Sequence, residues 1–314
     1  MKILLTSTSF QDTPGTHQDK LYGAGLEIDT LRGPVKEEVL LPVIDKYDGI
    51  ICGDDEITKS VIEKGKKGRL KIISKYGIGL DKVDLKAAEE LEIPVTNTPG
   101  VNQVAVAEHV LALLFSYYKN IHHEYNITRK GKWKRLIGHE IFGKKIGILG
   151  MGHVGKELAI RAKCMGMEVS AFDPFMDFEF AEKNKIKAAK NIEELVSDIE
   201  ILSLHLPLND NTKGIIDGEL LSKSKQKLVI VNTSRALIVE QNSLLDALRN
   251  DTLEAYLTDV LEEEPMPENH PLLQFDNVII TPHIGSRTYE SVQRQGLKAV
   301  ENLFNALNIR KDER

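Results

Sequence analysis

The chain has 314 residues, of which 41% are hydrophobic and 28% charged, and its formal net charge at pH 7 is −6. This length predicts two domains, and the composition is typical of a globular protein. The acidic balance and the lack of a long basic cluster argue against a nucleic-acid ligand, and no window is apolar enough for a membrane span. The short apolar run at the N-terminus predicts a first strand rather than a signal peptide, which favours a cytoplasmic location. Cys52 and Cys164 are too few for a disulfide framework or a metal cluster, so we assign both to packing and expect no metal.

In chain order, short apolar runs alternate with amphipathic segments through the first third of the sequence. They predict strands over Lys2–Thr6, Glu27–Thr30, Gly49–Cys52, Lys71–Lys75 and Pro94–Thr96 and a helix over Lys82–Leu91. This alternation is typical of βαβ units around a parallel sheet.

A long helix from Val101 to about Lys119 and an irregular arm around residues 128–143 then precede a second α/β region. Its predicted strands begin at Lys145 and continue through Glu168–Phe172, Ile199–Leu204, Leu228–Asn232, Ala255–Thr258 and Val278–Ile280. The last helix, Tyr289 to about Leu307, is expected to return to the first region. The predicted fold is therefore α/β with two Rossmann-like or flavodoxin-like domains, parallel sheets and a cleft between them. A discontinuous substrate domain would comprise 1–99 and 288–314, and a cofactor domain 100–287.

The glycines Gly150, Gly152 and Gly155 have the spacing G-x-G-x-x-G between the run that begins at Lys145 and a helix predicted over Lys156–Met165. The first glycine permits a tight turn, the second lets a pyrophosphate approach the backbone, and the third lets helix and strand pack closely. Asp173, which ends the next strand, would accept from the ribose hydroxyls of a dinucleotide. Because its charge would repel a 2′-phosphate, the pattern predicts NAD rather than NADP.

Three residues that could carry chemistry follow predicted strands of the second region. They are Arg235, Glu264 and His283. An Arg can grip a carboxylate and polarise a carbonyl, a His can exchange a proton with an alkoxide, and a Glu can keep that His charged. His205 also follows a strand, but its neighbours Leu206 and Pro207 favour an apolar wall on the cofactor side.

Several motifs together resemble the D-isomer-specific 2-hydroxyacid dehydrogenase family, over nearly the whole chain. They comprise Lys75–Asp84, Asn97–Asn102, Val106–Glu108, the glycine turn, His205–Leu208, Asn232–Arg235, Asp259–Pro265 and Pro282–Gly285. The resemblance implies that Arg235, Glu264 and His283 are catalytic. It assigns the substrate to Arg235 and to residues of the first domain, namely Lys75, Tyr76, Ile78, Gly79 and Asn102. It further implies that NAD contacts His153, Val154, Asp173, His205, Pro207, Thr233, Ser234, Asp259, Gly285 and Ser286 besides the three glycines.

Members of the family are typically dimers joined through their cofactor domains, so the arm around Trp133 is a candidate dimer element in a homodimer. The segments Gly131–Arg135 and Gly138–Lys144 most resemble the phosphoglycerate dehydrogenase branch, in a short form without a regulatory domain.

The identity of the substrate stays open, because Asp54, Asp55 and Glu56 stand where that branch commonly has an Arg-Ser pair. Carboxylates there would repel a phosphate unless they point to solvent, while Lys75, Lys134 or Arg135 could supply positive charge. We expect oxidation of 3-phosphoglycerate, or instead reduction of hydroxypyruvate, glyoxylate or another short 2-oxo acid. A hypothesis of another class is an NADH-sensing corepressor, which would bind the cofactor without turnover.

Overall fold

A computed structural model describes residues 1–309. These residues form two compact units. Unit 1 contains Met1–Asn102 and the chain from Arg287 onward, and unit 2 contains Gln103–Ser286.

Twelve strands and thirteen α-helices are defined within residues 1–309. The strands are β1 Lys2–Leu5, β2 Glu27–Thr30, β3 Gly49–Cys52, β4 Ile72–Lys75, β5 Val95–Thr96, β6 Lys145–Leu149, β7 Glu168–Phe172, β8 Lys187–Ala188, β9 Ile201–Leu204, β10 Val229–Asn232, β11 Ala255–Thr258 and β12 Val278–Ile280. The helices are α1 Thr8–Asp12, α2 Thr16–Tyr22, α3 Glu37–Leu40, α4 Lys59–Lys67, α5 Leu85–Glu90, α6 Gln103–Tyr118, α7 Ile121–Arg129, α8 His153–Cys164, α9 Phe178–Lys183, α10 Ile192–Ser197, α11 Gly218–Ser222, α12 Gln241–Arg249 and α13 Tyr289–Ala306.

Unit 1 is built on a five-stranded parallel sheet in the order β2-β1-β3-β4-β5. Alternate side chains of each strand enter two separate cores, so Leu4 and Ile50 lie in one and Ile3 and Ile51 in the other. Helix α13 packs on β3 and β4 and closes the second core. Burial of both faces explains why the inner strands β1, β3 and β4 are largely apolar.

Unit 2 is built on a seven-stranded parallel sheet in the order β12-β11-β10-β9-β6-β7-β8. Its strands also alternate between two cores, with Ile148 and Val231 on one side and Leu202 and Ile230 on the other. The order reverses beside β6, where the chain moves outward first to β7 and later to β9. Such a reversal opens a crevice at the carboxyl ends of the strands.

The predicted parallel α/β fold is confirmed, and the ends of the predicted elements match the observed ends or differ from them by one to three residues. Strand β8 was not predicted, and the arm predicted to be irregular from residue 128 begins only after α7 ends at Arg129. The packing role predicted for Cys164 is wrong, because that side chain is exposed, whereas Cys52 is buried. No helix within residues 1–309 is long and apolar enough to cross a membrane.

Candidate active site

The glycine turn joins β6 to α8, and two of its glycines cannot carry a side chain. Gly150 has a φ of 99°, and a Cβ on it would meet the His205 carbonyl oxygen at 2.5 Å. A Cβ on Gly155 would meet the Gly150 carbonyl oxygen at 2.1 Å. The helix therefore rests directly on the turn, as the spacing predicts.

Gly152 differs from the other two glycines because its Cβ position is open. Apart from Gly152 and the adjoining backbone, no atom of the described chain lies within 4 Å of that position. Gly152 is the N-cap of α8, and no side chain of residues 1–309 caps that helix end. The first-turn N–H groups and the positive end of the helix dipole are thus available to an anion, which fits a dinucleotide pyrophosphate. His153 is exposed and Val154 half-buried at the same helix end.

Asp173 lies beside this turn at the end of β7. Its Oδ2 accepts from the Met151 amide at 2.7 Å and its Oδ1 from the Phe175 amide at 2.8 Å. These bonds fix the carboxylate next to the glycine turn, where the sequence places the acceptor for a ribose.

His205 follows β9, the strand on the other side of β6. Its Nε2 lies 2.8 Å from the Ser203 hydroxyl, and burial lowers the pKa of His205 to about 4. The ring is therefore neutral near pH 7, which agrees with the predicted apolar wall better than with proton transfer. The neighbouring Pro207 is exposed.

Acidification is expected to destabilise the fold through His205. The unfolded chain takes up a proton at the ordinary pKa of 6.5, while the folded state resists it down to about 4, so stability is lost as the pH falls through this window. In urea unfolding from pH 7 to 4.5, His205→Gln should remove about 2 kcal/mol of that loss. Full burial would give a larger effect, but the His205 side chain is half-buried. His17 and His122, whose pKa values burial also lowers, leave a residual slope. If the free energy of unfolding of His205→Gln fell with pH as steeply as that of the wild type, the low pKa of His205 would be contradicted.

The three candidate catalytic residues follow three neighbouring strands. The strand ends Asn232, Thr258 and Ile280 are in register across β10, β11 and β12. Arg235 comes three residues after the first and His283 three after the last, so the chain delivers both to the same edge of one sheet.

His283 and Glu264 are in direct contact. The distance from His283 Nδ1 to Glu264 Oε2 is 2.8 Å, and Glu264 Oε1 accepts from the Leu261 amide at 2.9 Å. About one third of each side chain is exposed. The protein therefore fixes the orientation of the pair.

Arg235 is held at its backbone and at one guanidinium nitrogen. The Asn232 side chain donates to the Arg235 carbonyl at 2.9 Å, and Arg235 Nη1 donates to the Ser234 carbonyl at 2.7 Å. Ser234 itself donates through its hydroxyl to the Leu204 carbonyl and so links β10 to β9. The buried hydroxyl of Thr233 has no hydrogen-bond partner within residues 1–309, as expected for a group that meets a ligand.

A buried network supports the turn that carries His283. Asp259 accepts from the Thr281 hydroxyl at 2.6 Å and from the Ile284 and Gly285 amides at 2.8 and 2.7 Å. Burial would raise the pKa of Asp259, but His109, Thr281 and the two amides hold it below its usual value. These contacts indicate that Asp259 supports the turn. The direct NAD contact that the resemblance implies for Asp259, Gly285 and Ser286 stays a prediction.

The role of His109 in this network was missed by the sequence reasoning. Its Nε2 lies 2.9 Å from the Thr281 hydroxyl and 3.4 Å from Asp259. The only signal was a histidine inside the apolar helix α6. His283, at the top of the turn, has a φ of 54°, a left-handed conformation that a side chain rarely adopts without such support.

The predicted substrate residues of unit 1 follow β4 and β5. The Tyr76 hydroxyl and the Asn102 side-chain oxygen Oδ1 are buried and have no hydrogen-bond partner in the described chain. Ile78 is exposed and Gly79 half-buried in the loop after β4. Lys75 is buried and forms an ion pair with Asp54. Over residues 1–309, no His, Cys, Asp and Glu group is arranged to hold a metal ion.

Comparison with known proteins identifies what this arrangement resembles. Residues 111–285 match a family model described as D-isomer specific 2-hydroxyacid dehydrogenase, NAD binding domain. A D-3-phosphoglycerate dehydrogenase from Methanocaldococcus jannaschii is 34% identical over 309 residues, covering 98% of this chain but only 57% of that relative. A hydroxypyruvate reductase from Thermotoga maritima is 34% identical over 288 residues, covering 90% of this chain and 92% of the relative.

A solved structure is also similar to this chain over almost its whole length. The NAD⁺-bound 3-phosphoglycerate dehydrogenase from Entamoeba histolytica is 30% identical with a TM-score of 0.80, over 98% of this chain and 95% of that one.

Proposed function

The chain belongs to the D-isomer specific 2-hydroxyacid dehydrogenase family, with residues 111–285 matching its NAD-binding domain, and on this premise we propose that it interconverts a 2-hydroxy acid and the corresponding 2-oxo acid with NAD as cofactor. The contact between His283 and Glu264 at the carboxyl edge of the NAD-binding sheet carries the proposal.

His283 is proposed to be the general acid and base. A carboxylate can only accept, so the bond from His283 to Glu264 puts a hydrogen on Nδ1, and we assign to Nε2 the proton exchange with the substrate oxygen. Glu264 fixes the ring orientation and stabilises the positive charge that His283 gains when it takes up a proton.

Arg235 is proposed to bind the substrate carboxylate and to polarise the reacting carbonyl. A guanidinium presents several donors in a plane, which matches two oxygens of a 2-oxo acid better than an ammonium does. The hydrogen bonds to Asn232 and Ser234 hold the Arg235 backbone and its Nη1 atom in position.

The residues around β6 fit the cofactor. The open position at Gly152, the uncapped start of α8 and the unpartnered Thr233 hydroxyl would receive polar groups of NAD, and Asp173 its adenosine ribose. When bound, NAD supplies the hydride acceptor for oxidation, and NADH the donor for reduction.

Unit 1 is proposed to be the substrate domain. The backbone amides of Ile78 and Gly79 would receive the substrate carboxylate, while Tyr76 and Asn102 offer unpartnered polar atoms.

Homodimerisation through unit 2 is also proposed. It is supported by the apolar side chains that the arm after α7 exposes, with Trp133 86% and Ile137 93% exposed. The cytoplasmic location stays a prediction.

The proposed function is tested by NADH consumption with purified protein and a panel of 2-oxo acids. The panel contains phosphohydroxypyruvate, hydroxypyruvate, glyoxylate, pyruvate and oxaloacetate. We expect turnover of at least one, and a loss of kcat/KM of about 10²-fold or more in Arg235→Gln, because a charge-assisted bond pair is removed. NADH affinity, measured by fluorescence, should stay within about threefold. A native protein that binds NADH but reduces no 2-oxo acid would support the corepressor hypothesis instead.

A further inference from the structure

An ion pair joins the carboxyl ends of β3 and β4 in unit 1. Lys75, which is paired in register with Cys52, donates from Nζ to Asp54 Oδ1 at 2.6 Å and also to the Gly53 carbonyl. The Lys75 side chain is only 3% exposed, whereas that of Asp54 is 51% exposed. The Asp54 carboxylate is therefore the exposed member of the pair, and it offsets the charge of the buried Lys75 ammonium.

The other two carboxylates of this loop are turned toward the protein. Asp55 is buried and accepts from the Thr6 hydroxyl and from the Val35 and Gly53 amides. Glu56 accepts from the Glu37 amide at the start of α3. Asp54 is therefore the one of the three that forms the ion pair with Lys75.

Two arginines, Arg32 and Arg287, are also engaged with other side chains. Arg32 pairs with Asp12 through two hydrogen bonds of 2.6 and 2.8 Å, and Arg287 donates to the Thr8 hydroxyl at 2.9 Å. A phosphate dianion that approached Lys75 would therefore meet a lysine that already pairs with Asp54. It would also lie close to the exposed Asp54 carboxylate.

Building on the proposed function, we propose that Asp54 determines substrate specificity by selecting 2-oxo acids without a phosphate group. The substrate carboxylate is assigned to the amides of Ile78 and Gly79, which lie three and four residues beyond Lys75 in the loop that follows β4. A phosphate on the substrate's third carbon would have to displace Asp54 from Lys75 and remain beside its negative charge. A hydrogen or a neutral hydroxyl at that carbon meets no such repulsion.

The test compares hydroxypyruvate with phosphohydroxypyruvate, which differ only by the phosphate. The wild-type protein, Asp54→Asn and the control Glu56→Gln are assayed for kcat/KM with each acid. Asp54→Asn keeps the size of the side chain and the Lys75 bond to Gly53 but removes the competing charge. We expect the wild type to favour hydroxypyruvate by about tenfold or more, and Asp54→Asn to shift the ratio toward the phosphorylated acid by about tenfold or more. Glu56→Gln should leave the ratio within about twofold.

Further measurements separate the ways in which the proposal could fail. Asp54→Ser provides a second variant if Asp54→Asn does not fold, and adding Lys75→Met to either should abolish the shift. If the wild type uses only another 2-oxo acid, phosphohydroxypyruvate is assayed as a competitive inhibitor, and its inhibition constant should fall about tenfold in Asp54→Asn. A wild-type preference for phosphohydroxypyruvate, or an unchanged ratio or inhibition constant in the Asp54 variants, would overturn the role of Asp54 while leaving the proposed function intact. Absence of turnover with every acid would refute the proposed function itself, and with it this inference.

Discussion

Replacing His283 by Asn is expected to lower kcat about 10²–10⁴-fold, because the variant loses the nitrogen that exchanges a proton with the substrate oxygen. NADH binding should remain, since Asp259 holds the turn through the Ile284 and Gly285 amides and not through the His283 side chain. Steady-state NADH oxidation measures the first effect, and fluorescence titration of NADH measures the second.

Two neighbouring glutamates provide a matched control for this site. Glu264→Gln should lower kcat about 10-fold to 100-fold, because the charge behind His283 is lost while the side-chain size is kept. Glu263→Gln, one residue earlier in the same exposed loop, should change kcat less than about twofold. Equal effects of the two substitutions, or full activity of His283→Asn, would exclude the proposed proton transfer.

A methyl group at Gly155 is expected to abolish NADH binding and to weaken the fold. Its Cβ would lie 2.1 Å from the Gly150 carbonyl oxygen, so α8 would have to move away from β6. We expect Gly155→Ala to lower the free energy of unfolding by about 3 kcal/mol, as overpacking against backbone does, and to reduce NADH affinity by more than about 10²-fold. Urea unfolding and NADH titration measure the two effects.

Gly152→Ala separates binding from folding at the same turn. Its φ of −68° suits alanine and its Cβ position is open, so the free energy of unfolding should change by less than about 0.5 kcal/mol. NADH affinity should nevertheless fall about tenfold or more, because the methyl group would occupy the space in which the pyrophosphate approaches the backbone. Normal NADH binding by Gly152→Ala would show that the pyrophosphate lies elsewhere.

The fold was predictable because the inner strands of both sheets are buried on both faces. Continuous apolar runs such as Gly49–Cys52 and Val229–Asn232 are easily recognised, and the glycine spacing fixes the start of the cofactor sheet. Strand β8 was missed because a two-residue edge strand carries almost no periodicity. Cys164 was misassigned because residue type predicts average burial, whereas the last turn of α8 turns this side chain outward.

The candidate site was predictable only for the residues whose position follows from the order of the strands. Parallel strands deliver Arg235 and His283 to one edge, so their type and position sufficed to select them. The partner of Lys75 was not predictable, because Asp54, Asp55 and Glu56 are consecutive carboxylates whose side-chain directions the sequence does not report. The contribution of His109 depends on how α6 packs on the sheet, which sequence patterns do not report.

The path of the chain through unit 1 has a consequence for synthesis on the ribosome. The five strands of its sheet emerge early, but Ile3, Leu5, Ile51 and Ile72 are covered by α13, which is translated only after all of unit 2. Unit 2 is contiguous and can fold as soon as it leaves the exit tunnel. The nascent unit 1 must therefore keep one apolar sheet face from aggregating until residues 289–306 arrive, which makes this face the place where a chaperone would bind the growing chain.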